Sequence, residues 1–270
     1  MIVANRTTGQ RRGSRITPAV AEPRAASSDD VIDANRTTWL RDAEAALTVL
    51  DWRAFTGGRT LHVLDFAEIG APKLGFLGFT TGAQLHELAA DFIPKQTFRR
   101  GAAAAVAVNV DRIARTVPAV SVGTAGDAVG VIRAAVATVA AHELSHVLDA
   151  EAEGRRLPPG STLDQAIQSL TDGRAVESTH RVKSHSPGWL RAFAHLTTRA
   201  ASLPHFETWL ASFIRDVGNS LPHSGEAYLD ALHPELARFT SDDRLVDVLR
   251  TPAPAGFLSL FETAPATEEK

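Results

Sequence analysis

Hydrophobic and polar positions recur along this chain with two different periods, and the changes of period mark its elements. From Thr37 to Asp51 the apolar residues Trp39, Leu40, Ala43, Ala46, Leu47 and Leu50 fall three or four apart, which predicts a helix with one buried face. After a break at Gly57-Gly58, the short apolar segments Thr60–Phe66 and Leu74–Thr80 predict strands. Gly82–Phe92 predicts a short helix, and the alternating valines of Gly101–Val110 predict a third strand. A long helix is predicted from Asp127 to Glu153, with Gly154 as its left-handed stop. Beyond it the period is helical throughout. Thr162 and Gln165 make a capping box that opens a helix reaching Lys183. Ser186 as N-cap and Pro187 at the first helical position open another, reaching Ser202. Further helices fit His205–Val217, Gly225–Leu232, Pro234–Phe239 and Ser241–Leu249, while Pro252-Ala253-Pro254 and the final Glu-Glu-Lys look like a tail. Residues 1–35 show no period and predict a disordered or loosely attached tail. The rest, 36–265, predicts one α+β domain: 36–154 carries the strands and the long helix, and 155–265 is helical.

Composition adds limits rather than a function. With 270 residues, 44% of them hydrophobic and 22% charged, the chain can bury a sizeable core. A net charge of -3 and a pI near 6.4 give no argument for nucleic acid or an anionic membrane as partner. The absence of cysteine excludes disulfides, thiolate ligands and a cysteine nucleophile, leaving His, Asp and Glu for any metal. No uncharged run of about 18 apolar residues predicts a membrane span, and no apolar core follows the N-terminal arginines as in a secretory signal. A cytoplasmic location is expected; the oligomeric state is not legible.

The candidate chemistry lies in the long helix. His142-Glu143-Leu144-Ser145-His146 is an H-E-x-x-H motif within a run, Val131 to Val147, that is otherwise apolar apart from Arg133 and Thr138. On a helix the two histidines point the same way one turn apart, a spacing that suits two imidazole nitrogens on one zinc ion. Glu143 beside them is placed to take a proton from a water whose pKa the metal lowers. Three ionisable groups in a buried helix are costly unless paired or metal-bound. His86-Glu87 resembles the start of the same motif but lacks the second histidine.

A catalytic zinc usually has three protein ligands. Asp149 shares the face of His142 and His146, where it suits orienting a ligand histidine from behind. Glu177 and His180 lie on the next predicted helix. Glu226 is a more distant carboxylate, with Asp230 one turn beyond it, and His185 stands in a loop directly before a helix.

His142-Glu143-Leu144-Ser145-His146 resembles the zincin metallopeptidases. His185-Ser-Pro-Gly-Trp189 resembles the H-G-x-x-F/W element of SprT-like and related minimal zincins. The likeness spans about residues 135–195 and departs from the pattern in having Ser186 where glycine is expected, and a long interval after His146. It lacks the metzincin continuation, since Asp149 and Ala152 stand where that pattern has its glycine and third ligand. The resemblance implies that His185 is the third ligand, that Trp189 packs behind the site, and that one Zn2+ is held per chain. It further implies a zincin-like fold, a small mixed sheet packed on the active-site helix, and a peptide or protein substrate cleaved with Glu143 as general base. Zincins hold extended substrates against a strand, which makes Ala105–Val110 or Leu74–Thr80 a candidate rail. Tyr228, His180, Arg191 and His195 are candidate donors to an oxyanion. Two other readings stand beside the peptidase: a catalytically silent zincin-shaped scaffold, and a nucleic-acid-associated SprT-like protease drawing on Arg181, Lys183, Arg191 and Arg199.

Overall fold

The computed structural model describes residues 28–55, 60–69, 77–79, 103–116, 125–152, 185–203, 209–239 and 243–262. The predicted tail over 1–27, the helices of 82–92 and 162–183, and the stop at Gly154 lie outside them. So do His86, Glu177, His180, Arg181 and Lys183.

The chain opens with helix α1 (Ser28–Phe55). It starts well before Thr37, so the last residues of the predicted tail are helical. The added turns bury one apolar side chain, Ile32, and are tied down by charge instead. Arg36 pairs with Asp65 and, at 2.5 Å, with Asp111, and Asn35 donates to the Val31 carbonyl at 2.8 Å. Further along α1, Trp39, Leu40, Ala43, Ala46 and Leu47 are buried.

Among the described residues three strands follow, β1 (Thr60–Asp65), β2 (Gly78–Phe79) and β3 (Ala103–Val108), in the order β1-β3-β2. β1 runs parallel to β3, from Thr60 opposite Ala103 to Asp65 opposite Val108, and β2 runs antiparallel to it. The sheet is therefore small and mixed. Ala105 to Val108 are completely buried, which suits the small and β-branched residues of a central strand. The outer edge of β1 is stopped by carboxylates: Glu44 of α1 accepts from the Val63 N–H and Glu68 from the Asp65 N–H, each at 3.1 Å.

Asn109 caps the short helix α2 (Val110–Thr116), accepting from the Arg112 N–H at 3.0 Å. Helix α3 (Ala125–Ala152) then runs through the middle of the molecule, against α1, α2, β2, β3 and later helices. Ile132, Val136, Ala137, Ala140, Ala141, Leu144, Val147 and Leu148 are buried around most of its circumference, and its alanines let neighbours approach closely. The segment Val129–Asp149 is long and apolar enough to cross a membrane by length and composition, yet it is mostly buried inside the fold.

The remaining described helices are α4 (Pro187–Ala200), α5 (Trp209–Ser220), α6 (Gly225–Leu236), α7 (Leu245–Arg250) and α8 (Ala255–Glu262). α6 joins the two helices predicted over Gly225–Leu232 and Pro234–Phe239. Pro234 falls in its last turn, where few hydrogen bonds remain to be lost and the chain still closes with Ala237 N–H donating to the His233 carbonyl at 3.0 Å. α8 was not expected after Pro252-Ala253-Pro254; its Phe257 is fully buried, against Tyr228 and Phe261.

Candidate metal centre

α3 carries His142 and His146 one turn apart, their ring centroids separated by 5.1 Å. His185, directly before α4, comes to the same place because α4 packs along α3. Its Nε2 lies 3.4 Å from the Nε2 of His142, and one nitrogen from each of the three rings falls within 4.8 Å of the others. Two nitrogens on a tetrahedral zinc at about 2.0–2.1 Å are themselves about 3.3–3.4 Å apart. A hydrogen bond between His142 and His185 would use two of the rings, whereas a metal ion uses all three. Burial, helped by the neighbouring His185, pushes the His142 imidazole down to about 3, and burial also lowers that of His185. Both are thus neutral near pH 7, the form that binds metal. The donor set could hold a metal ion.

Trp189, 2% exposed, packs behind these rings, with its centroid 4.7 Å from His142, 5.4 Å from His146 and 4.2 Å from His185. Its Nε1–H donates to the His142 carbonyl at 3.1 Å, tying the first turn of α4 to the motif. Phe193, one turn further, sits 5.7 Å from His142.

Glu143 is 8% exposed and has no hydrogen-bond partner among the described residues. Burial pushes its carboxyl up to about 8. It lies against Gly78 of β2: a Cβ there would meet its Oε1 at 2.5 Å and Val139 Cγ1 at 2.7 Å. The backbone of β2 can approach the carboxylate only because residue 78 has no side chain. The strand order bears on the two candidate rails. Within Ala105–Val110, Ala107 and Val108 are paired on both sides, with β1 and with β2, and Val110 opens α2, so these positions offer no free strand edge. Of Leu74–Thr80, residues 77–79 are described, and Gly78–Phe79 form the strand at the other edge of the sheet among the described residues, beside the candidate centre.

Asp149, 3% exposed, accepts the Ser186 hydroxyl at 2.7 Å. Glu226 and Asp230 are exposed on α6, and neither belongs to the metal-ligating group found among the described residues. Three of the suggested oxyanion donors are placed by the core. Arg191 and His195 are buried with Glu235, which accepts from Arg191 Nε at 3.0 Å and stands 2.9 Å from His195 Nε2. Arg191 also donates to the carbonyls of Val248, Leu249 and Thr251, closing the C-terminus of α7. Tyr228 is fully buried beside Phe261. With Arg191 enclosed, the basic cluster proposed for nucleic acid loses a member, and Arg199 NH2 lies 3.4 Å from the Asp243 carbonyl. Gly78, Gly188 and Phe193 were not anticipated: each matters through an approach between distant segments, which leaves no local pattern. No protein-family model, curated protein or solved structure matches this chain.

Proposed function

We propose that this protein is a zinc-dependent metallopeptidase of the zincin type, hydrolysing peptide bonds in a peptide or protein substrate in the cytoplasm. The observation that carries this reading is the convergence of the His142, His146 and His185 nitrogens beside the buried carboxyl of Glu143. Zinc bound there would supply Lewis acidity, bringing the pKa of a water to about 7 and polarising a carbonyl. His142 and His146 of α3 and His185 before α4 would hold it, and Trp189 packs behind the rings. Glu143 takes the proton of the attacking water as its oxygen bonds to the carbonyl carbon. As the C–N bond breaks, Glu143 hands that proton to the leaving amine, giving a carboxylate and a free amine. An extended peptide adds along the edge strand β2, next to Glu143.

The test combines elemental analysis with cleavage of an unfolded protein substrate. Wild type should carry about one zinc per chain. Glu143→Gln should keep that zinc and lose about 10²–10⁴-fold in cleavage rate, the usual contribution of a general base. His185→Ala should release zinc on desalting. Wild type that takes up no zinc after reloading sinks the reading. Zinc bound without cleavage of any unfolded substrate turns it toward a silent scaffold, and zinc firmly kept by His185→Ala moves the third ligand to a carboxylate such as Glu177.

A further inference from the structure

A third ligand supplied from a separate helix is only as well placed as the segment that carries it. His185 lies outside α4, one residue before its N-cap. Consecutive Cα atoms are about 3.8 Å apart, so whatever fixes Ser186 fixes His185 to within one residue's rotation. Ser186 is held twice. Its hydroxyl oxygen accepts from the Trp189 N–H at 3.0 Å, closing the first turn of α4, and its hydroxyl donates to Asp149 Oδ2 at 2.7 Å. Asp149 stands on α3, on the same face as His146 and His142. The same carboxylate presses on Gly188, where a Cβ would fall 2.2 Å from Oδ1 and 3.2 Å from Cγ. The bridge thus needs an acid at 149, a hydroxyl at 186 and no side chain at 188.

We infer that Asp149, Ser186 and Gly188 form a lock between α3 and the start of α4 that sets His185 at its ligand position before metal arrives. This rests on the metal-centre reading above. It also accounts for serine at 186 where the related motif has glycine: the position must cap the helix and reach Asp149, while the need for glycine falls at 188. The three are positioning residues, since they act through His185.

The test measures the zinc dissociation constant of the full chain by competition with a chromophoric chelator, with folding checked by circular dichroism. Asp149→Ala and Ser186→Ala should each weaken zinc about 10–100-fold, and the double variant should be little worse than either. Asp149→Asn, which keeps an oxygen for the Ser186 hydroxyl, should lose less than Asp149→Ala. Gly188→Ala should resemble Asp149→Ala. In a His185→Ala background, where two imidazoles still bind zinc weakly, Asp149→Ala should change nothing further. A merely structural carboxylate would weaken zinc equally in both backgrounds, or leave it unchanged in both; either result overturns the lock. Should Asp149→Ala fail to fold, Ser186→Ala carries the same comparison. Wild type that binds no zinc brings down the metal-centre reading, and the lock with it.

Discussion

Glu143 is held without a hydrogen-bond partner among the described residues, and burial raises its carboxyl to about 8. In the metal-free protein the folded state therefore binds a proton that the unfolded state releases near its ordinary value of 4.5. Stability falls as pH rises between those two values. From pH 6.5 to 8 the slope falls from about one proton, about 1.4 kcal/mol per pH unit, to about half a proton, or about 1–2 kcal/mol in all. Chemical denaturation of metal-free wild type and Glu143→Gln across that range should show the decline only in wild type; parallel curves would refute it. A bound dication would remove the decline, because a nearby positive charge favours the carboxylate. His142 acts in the opposite sense. Its lowered value leaves it neutral in the fold, so the metal-free protein loses stability as pH drops below 6.5 toward 3.

At the level of elements, the contact between β2 and α3 joins the proposed substrate edge to the proposed base. Gly78→Ala would put a methyl group where Glu143 Oε1 now lies, and the side chain must rotate away. Zinc content should be unchanged while kcat falls about 10²-fold, the effect of misplacing a catalytic group by about 1 Å. Full activity would mean that the carboxylate has a second productive position. On the far side of α4, Arg191, His195 and Glu235 form a buried charged group that clamps α7. Arg191→Met leaves Glu235 without its guanidinium and frees three carbonyls, so denaturant unfolding should report a loss of about 3–5 kcal/mol. A loss below 1 kcal/mol would show the network to be dispensable.

These elements also show what a single sequence reveals. The paired histidines were legible because four residues is one helical turn, and Ser186-Pro187 because a cap is local. α3, β1, β3 and α4 lie within a few residues of their predicted bounds for the same reason. The early start of α1 was hidden because ion pairs to Asp65 and Asp111 hold it, where the pattern looks for apolar residues. That β3 is central and β2 an edge was also hidden, since strand order depends on pairings that alternation does not encode. The partner of Asp149 lay 37 positions away, beyond any helical period.

For the molecule as a whole, zinc should act as a ligand of the native state. At free zinc about 1,000-fold above its dissociation constant, binding adds about 4 kcal/mol. For a chain of this size that raises Tm by about 10 °C. Differential scanning calorimetry before and after chelation measures the shift; no shift in a zinc-binding protein would mean that the unfolded chain binds zinc equally well. α3 gives this coupling a wider consequence. The helix that displays the motif is also the spine on which the sheet and most of the described helices rest. Its alanines are shared between both duties, so a substitution that enlarges one of them strains the architecture and displaces the histidines together. Heritable variation along α3 is therefore under two selective pressures at once. On the proposed reading, substrate preference can change far more freely through β2 than through the helix whose histidines would hold the metal.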